Sequence, residues 1–424
     1  MNIYDELIKT TAYSPAFEKL RKRAAQAPYL QSRAPLFPAV SLKWTLDNQS
    51  LIVSELIKSV RSQKIFLADA NRQQIFLDKE REIYSQSWPQ SIFQSTVCRL
   101  IYKILEPLYS PRLFSFRTGT GSHKAIREFS AYIQESKLAG REVFIAKRDV
   151  LKYDQFVDLD RLLLQYRAVL GNQNEFVWKT IESFIRPNVL NSNNVESQLP
   201  MGFQITPISE NLYLHELDNK LDKVLDLFYI RYGDDILLAS SNEGILNLNL
   251  KVAEDTVQSL GLKFSDPKSL NLRLGQPGQV ISSPHFQMKE SLDYLGYNIN
   301  FKGELFLSAN KLCKLKKDLK RCLDVSFISN KKSDDRGRKA MIESLNMFMR
   351  LRALDPNLSV IMHSSNNRDA LKRLDTWIAK QVLRKFHKGA QDKLFRHSSL
   401  KQLRAEGLQS LRYLKNARSE LQDG

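Results

Sequence analysis

The sequence predicts an α+β fold in which a small antiparallel sheet carries acidic side chains and a basic, helical segment follows it. Three observations predict this. First, Leu227-Phe228-Tyr229-Ile230 and Ile236-Leu237-Leu238-Ala239 are apolar, strand-forming runs on either side of Arg231-Tyr232-Gly233-Asp234-Asp235. That is the pattern of a β-hairpin whose Gly233 frees the backbone at the bend. Second, Val143-Phe144-Ile145-Ala146 opens an apolar strand that ends at Asp149, with polar, helix-compatible sequence after it. Third, Leu312, Leu315, Leu319 and Leu323 fall on one helical stripe with lysines elsewhere.

The elements follow in order. Residues 1 to about 45 read as a short, mostly helical lead, broken near Ala34-Pro35-Leu36-Phe37-Pro38. Residues 46–148 read as helices with a β-ribbon near Ile65 to Tyr84. Residues 149–305 hold the acidic strands, two inserted helices (Asp158 to Gly171 and Glu175 to Ile185) and a helical stretch from Glu210 to Leu225. Residues 306–424 are helical, with a loop near Asn330 to Gly337. There is no internal repeat and no low-complexity tract.

A chain of 424 residues buries two or three modest cores. Hydrophobic content of 42% with aromatics at 10% excludes a disordered chain. No run of eighteen apolar residues is present, so no membrane-spanning helix and no membrane partner are expected. The start, Met1 to Glu6, lacks a secretory pattern, and Cys98, Cys313 and Cys322 have no metal-ligand spacing, which fits a reducing cytoplasm. The net charge of +18 is uneven: Phe301 to Gly424 carries 28 Lys and Arg against 13 Asp and Glu. Such a surplus is the footprint of a nucleic-acid surface, the alternative being a solubilising face.

An acidic doublet at a buried hairpin tip costs several kcal/mol in repulsion and desolvation unless a cation sits there. Alone, it equally fits a solvated turn. A site that bridges two divalent ions about 3.5–4 Å apart needs a third carboxylate on an adjacent strand, and Asp149 is the candidate. Strand alternation predicts that only one Asp of the doublet points at the shared site, Asp234, with Asp235 supporting it.

Further segments fall in a telling order. Phe114-Ser115-Phe116-Arg117-Thr118-Gly119-Thr120-Gly121-Ser122-His123-Lys124-Ala125-Ile126 is similar to SFGFRPGRSxHxAI, and Leu199 to Asn211 is similar to LPQGxxxSPxLxN. Tyr232 to Asp235 matches YxDD, and Gly261-Leu262-Lys263-Phe264 through Pro267-Lys268-Ser269 resembles the lysine-bearing motif that follows it. Tyr294-Leu295-Gly296-Tyr297 looks like the FLGY primer-grip hairpin, and Leu374-Asp375-Thr376-Trp377-Ile378 through Leu383-Arg384 resembles LDxWIxxxLR. Together, in this order, they resemble the reverse transcriptases of the bacterial, group II intron-like superfamily.

That resemblance implies a right-hand polymerase: an N-terminal helical extension (1–45), fingers (46–148), a palm with an antiparallel sheet (149–305) and a basic helical thumb (306–424). It implies two Mg2+ ions (Mn2+ as a substitute) on Asp149, Asp234, Asp235 and the Val150 carbonyl, one activating the primer hydroxyl and the other holding the triphosphate. Lys268 matches the position proposed to protonate pyrophosphate. Lys79 and Arg81 resemble the family's KxRxI strand at the triphosphate, and Asp154, Met201, Gly202 and Gln204 fall at nucleotide-binding positions. Arg117, Lys124, Tyr294, Gly296, Lys314, Lys317 and Lys320 are the nucleic-acid-binding candidates, with a structural role for Arg117 the alternative.

Two departures bear on the sugar. Met201 replaces the Gln of LPQG, and Asp154 stands where the family carries Phe or Tyr, an aromatic plate against the ribose 2′-hydroxyl. RNA-dependent RNA polymerases resemble this chain in an Asp at that spacing, a Gly-x-x-x-Thr like Gly202 to Thr206, and Tyr-Gly-Asp-Asp. Tyr153 supplies the plate if the register shifts by one. With no endonuclease or ribonuclease H constellation, the chain most resembles the stand-alone, defence-associated enzymes of the abortive-infection and unknown groups. That implies an RNA template (a dedicated noncoding RNA among the options), deoxynucleotide substrates, a cDNA product, a role in antiphage defence, and a homo-oligomer or partner protein. The alternatives are a polymerase using ribonucleotides or untemplated, terminal-transferase-like synthesis, and a non-catalytic, maturase-like RNA-binding scaffold.

Overall fold

The computed structural model describes residues 1–26, 41–64, 69–76, 80–189, 198–276, 285–330, 335–353, 368–386 and 399–411. Strands β1 (Asp69–Phe76) and β2 (Glu80–Ser85) form the expected antiparallel ribbon, in register from Asn71 opposite Ser85 to Phe76 opposite Glu80. Strand β3 (Val143–Asp149) is apolar over Val143–Ala146 because both of its faces are covered. Strand β4 (Asn188–Val189) is a short parallel partner of β1. Strands β5 (Phe228–Tyr232) and β6 (Asp235–Ser240) close the hairpin around Gly233 and Asp234. Only the first of these two central residues, Gly233, has positive φ (65°), the pattern of a type II′ turn, whose twist matches that of the strands.

Two compact units are present, each discontinuous in sequence: 1–121 with 144–271, and 122–143 with 272–424. Their limits do not coincide with the boundaries at 45, 148 and 305 expected above. In the first unit β6 lies between β5 and β3, with Ala239 opposite both Ile145 and Phe228. The helix Ile205–Tyr213 packs against Leu159–Leu170, Glu175–Ile185 and Trp88–Leu105, so the stretch expected from Glu210 to Leu225 starts earlier and breaks at Leu214 before a second helix, His215–Leu221. Trp88–Leu105 is fixed at its start by a Ser87–Gln90 capping box, and packs in turn against Ile3–Leu7 and Ser14–Gln26.

Strand β7 (Leu270–Leu274) begins in the first unit and continues into the second, where it pairs in parallel with β8 (Gln287–Lys289) from Leu272 onward. Strands β9 (Ser291–Tyr294), β10 (Tyr297–Asn300) and β11 (Leu305–Leu307) form an antiparallel meander. Helices Ala309–Asn330, Asp335–Ala353, Arg368–Phe386 and Leu400–Ala405 share a core. The predicted stripe faces it: Leu319 and Leu323 are buried and Leu312 and Leu315 pack on its edge. Asp375 accepts the Leu411 N–H (3.0 Å) and the Ser410 hydroxyl, which ties the segment after the last helix to Arg368–Phe386. The chain break at Ala34–Pro38, residues 65–68 of the ribbon, and residues 331–334 of the loop lie outside the described residues.

Candidate active site

Pairing places Asp149 directly opposite Asp235, so both side chains leave the same face of the sheet. Asp234 sits in the turn, outside the pleat, and one carboxylate oxygen from each of Asp149, Asp234 and Asp235 lies within 4.8 Å of the others. The expectation that pleating turns Asp235 away is therefore corrected: alternation applies within a strand, and the turn interrupts it between the two residues. Asp149 is buried and its partners are half-buried.

The electrostatics follow from this crowding. Burial, and then the charges of Asp149 and Asp235, push the Asp234 carboxyl up to about 6. Burial also raises Asp235, against the pull of Lys147, whose Nζ lies 3.7 Å from its Oδ1. Glu210, half-buried in the adjoining helix, is pushed up to about 8 by burial and by the charges of Asp234 and Asp154. Lys268 donates to Asp149 Oδ2 at 2.6 Å, and that bond raises its own pKa. Three hard oxygen donors whose mutual repulsion a cation relieves fit a hard divalent metal ion.

A buried framework holds the turn from below. Arg231 is fully buried, and its guanidinium donates to both Asp218 oxygens (2.7 and 2.6 Å), to the Asn211 carbonyl (3.0 Å) and to the Gly233 carbonyl (3.3 Å). Burial opposes its charge, but Asp218 outweighs burial and holds its pKa above the ordinary value. Ser115 accepts the Gly233 N–H (2.8 Å) and donates to Asn211, whose amide returns a bond to the Ser115 carbonyl. Val150 donates its N–H to the Asp234 carbonyl (3.1 Å), and Asp149 accepts the Ser265 N–H (2.8 Å). Sequence reasoning assigned no role to Arg231, Asp218, Ser115, Lys147 or Glu210. The available signal was Arg231, a cation inside an apolar strand, which demands a buried partner.

Other expected residues have different surroundings. Arg117 is spent on the protein: it forks onto Glu106, donates to the Ser110 and Leu113 carbonyls and stacks over Tyr109, so its expected phosphate contact gives way to the structural alternative. Tyr294 is buried edge-on to Phe129, which removes it as a nucleic-acid contact. Gly296 lies in the β9–β10 turn under the Lys311 side chain, which donates to the Leu295 carbonyl. Tyr153 is buried, its hydroxyl donating to the Glu210 carbonyl (2.6 Å), so its ring is not open to a sugar. Gln204 turns to the helix at Trp88–Leu105, donating its amide toward the Ser91 carbonyl (3.4 Å).

Asp154 is half-buried, and its carbonyl accepts the Leu199 N–H (2.9 Å), which ties it to the segment holding Met201 and Gly202. Met201 accepts the Tyr84 N–H (2.7 Å), and a Cβ on Gly202 would lie 2.8 Å from the Tyr84 oxygen. Glycine at 202 thus lets the loop meet β2. Lys124, Lys314, Lys317 and Lys320 are exposed. Arg81 pairs with Ile75 in the ribbon, and Lys79 lies outside the described residues.

Three carboxylates on a strand and an adjoining hairpin turn, with a lysine on the first, gather oxygen donors of the kind that hold a divalent cation. A profile of the reverse transcriptase (RNA-dependent DNA polymerase) family matches residues 79–299 of the 424, and the chain belongs to that family. Its described residues form an α+β fold in which antiparallel strands carry the three acids. Among curated proteins it is similar to the retron Ec73 reverse transcriptase of Escherichia coli, 28% identical over 128 residues, 29% of this chain and 39% of that one. It is also similar to an uncharacterized 91 kDa protein in the cob intron of Schizosaccharomyces pombe, 23% identical over 192 residues, 43% of this chain and 23% of that one. The matches thus span well under half of either relative. Among solved structures it is similar to apo telomerase from Candida tropicalis (TM-score 0.48, 12% identity, 76% of this chain and 63% of that one). Telomerase from Candida albicans, in complex with a fragment of telomeric RNA, gives a TM-score of 0.46 at 13% identity, over 84% of this chain and 66% of that one. No described helix is long and apolar enough to cross a membrane.

Proposed function

We propose that this chain is an RNA-directed DNA polymerase, and the observation that carries the reading is the convergence of Asp149, Asp234 and Asp235 within 4.8 Å. Those three residues, with the Val150 carbonyl, would hold two divalent ions, which when bound lower the pKa of a primer hydroxyl and neutralise the triphosphate. Asp149 and Asp234 orient that centre, and Arg231 with Ser115 keeps the turn from shifting. In this reading Lys268, 50% exposed and bonded to Asp149, hands a proton to a departing pyrophosphate. Exposed lysines of Ala309–Asn330 bind the template and product backbone. The substrates are deoxynucleotides and the template is RNA, a dedicated noncoding RNA in a cytoplasmic antiphage role being the specific form we favour.

Primer extension on an RNA template with Mg2+ or Mn2+ tests this. Replacing both Asp234 and Asp235 with Ala should abolish incorporation and leave RNA binding nearly intact, because the positive charge lies elsewhere. Full incorporation by that double variant would sink the assignment. Asp154 favours a second reading, tolerance of ribonucleotides, since a carboxylate accepts a hydrogen bond from a 2′-hydroxyl where an aromatic plate would exclude it.

A further inference from the structure

Helices Ser14–Gln26 and Trp88–Leu105 pack together in the first unit and leave a cleft between them. Helical spacing puts Ala16, Lys19, Leu20 and Arg23 on one wall and Trp88, Ser91, Ile92 and Ser95 on the other, and Gln204 also lines the cleft. Ala16, Leu20 and Ile92 are buried and form the floor. Lys19 and Arg23 are exposed, and Trp88, Ser91 and Ser95 are half-buried. None of the nine lining residues is acidic.

We propose that this cleft is a second nucleic-acid site, in which one phosphodiester of a single strand lies between Lys19, Arg23 and the serine hydroxyls while the neighbouring base stacks on Trp88. Size separates the two parts. The cavity measures about 50 Å³, and on the same measure one water needs about 10–15 Å³. It therefore admits a group of a few heavy atoms such as phosphate, and a base must remain at the rim, where the indole stands. Two cations four residues apart supply the charge, the serines supply neutral donors, and an aromatic face accepts any base. Gln204 follows Met201 and Gly202 in the chain, and those two residues contact Tyr84 of β2. This deepens the polymerase reading only in its polynucleotide half.

The test is fluorescence anisotropy of a labelled, unstructured oligouridylate on the full chain, over a range of KCl concentrations, without nucleotides or divalent ions. Loss of this site and loss of polymerisation are then separate observations. Lys19→Glu with Arg23→Glu should weaken binding about tenfold or more and lower the slope of log affinity against log salt by about 0.7 per phosphate lost. Trp88→Ala should weaken binding about five- to a hundredfold and leave that slope unchanged, with Trp88→Phe restoring most of the loss. Lys19→Gln with Arg23→Gln, which introduces no repulsion, should move affinity and slope in the same direction by less. An unchanged affinity and slope in both charge variants would overturn the proposal. So would full displacement of the strand by millimolar pyrophosphate, which would mark the cleft as a site for a free anion.

Discussion

At the scale of single residues, the Asp234 carboxyl is pushed up to about 6, above the ordinary value of 3.8, by burial and then by Asp149 and Asp235. A carboxyl raised on folding contributes stability that is fully present below about pH 4 and lost as pH rises through about 6, worth about 3 kcal/mol at most. Asp234→Asn removes that dependence. In chelator the variant should therefore melt higher than wild type at pH 7 and equally at pH 4, and Mg2+ at pH 7 should stabilise wild type alone. An equal Mg2+ shift in both proteins would show that Asp234 holds no ion. Asp154 bears on the sugar. Deoxynucleotides should be preferred, but with weaker discrimination than an aromatic plate gives, and Asp154→Phe should sharpen it by roughly ten- to a hundredfold, about 1–3 kcal/mol. Single-nucleotide incorporation with matched deoxy- and ribonucleotides measures this. An outright ribonucleotide preference in wild type would make the enzyme an RNA polymerase. Equal exclusion by both proteins would place the gate elsewhere, and Tyr153, whose hydroxyl is committed to the Glu210 carbonyl, is not it.

At the scale of elements, the site depends on contacts that join distant segments. The loop Leu199–Gly202 meets β2 through the Tyr84–Met201 bond, and Gly202 has φ +101°, with room for hydrogen alone against the Tyr84 oxygen. Gly202→Ala combines backbone strain with overpacking against backbone that cannot yield, a cost of about 2–4 kcal/mol. Its thermal midpoint should fall by several degrees, and incorporation should fall further than binding. A wild-type midpoint would mean that the loop is not seated on β2. Segment Arg112–Ser115 is a second such contact: it brackets Arg231 by backbone bonds on both sides and offers Ser115 to the turn. The resemblance of Phe114–Ile126 to a fingers motif suggested template phosphates for Arg117 and Lys124, whereas Ser115 here holds the acidic turn and Arg117 holds the chain around Glu106.

At the scale of the whole molecule, charge and chemistry are carried by different stretches of sequence. The acids cluster between residues 149 and 235, and most of the excess of +18 follows Phe301. Changing Lys314, Lys317 and Lys320 together to Glu should weaken nucleic-acid binding and flatten its salt dependence while the core of Leu319 and Leu323 stays intact. An unchanged slope would make these lysines a solvated face. Much of this was legible in residue order. Apolar runs with β-branched and aromatic residues marked β3, β5 and β6, leucine spacing marked Ala309–Asn330, and the acids stood at the ends of those runs, because local periodicity reports which face of an element is buried. Side-chain partners were not legible, because they depend on which segments meet. Nothing adjacent to Arg117 announces Glu106, nothing adjacent to Tyr294 announces Phe129, and the pleat argument failed at Asp235 because pairing with Asp149, not alternation along the chain, decides which way it points. By itself, the sequence determined the strands that carry the acids, the leucine-striped helix, the three carboxylates and the family resemblance. Tertiary structure decided the rest: that all three acids converge, that a buried Arg231–Asp218 pair supports them, and that Lys19 and Arg23 face Trp88 across a cleft. The physical reason is that burial and desolvation act on neighbours in space, which a linear pattern does not name.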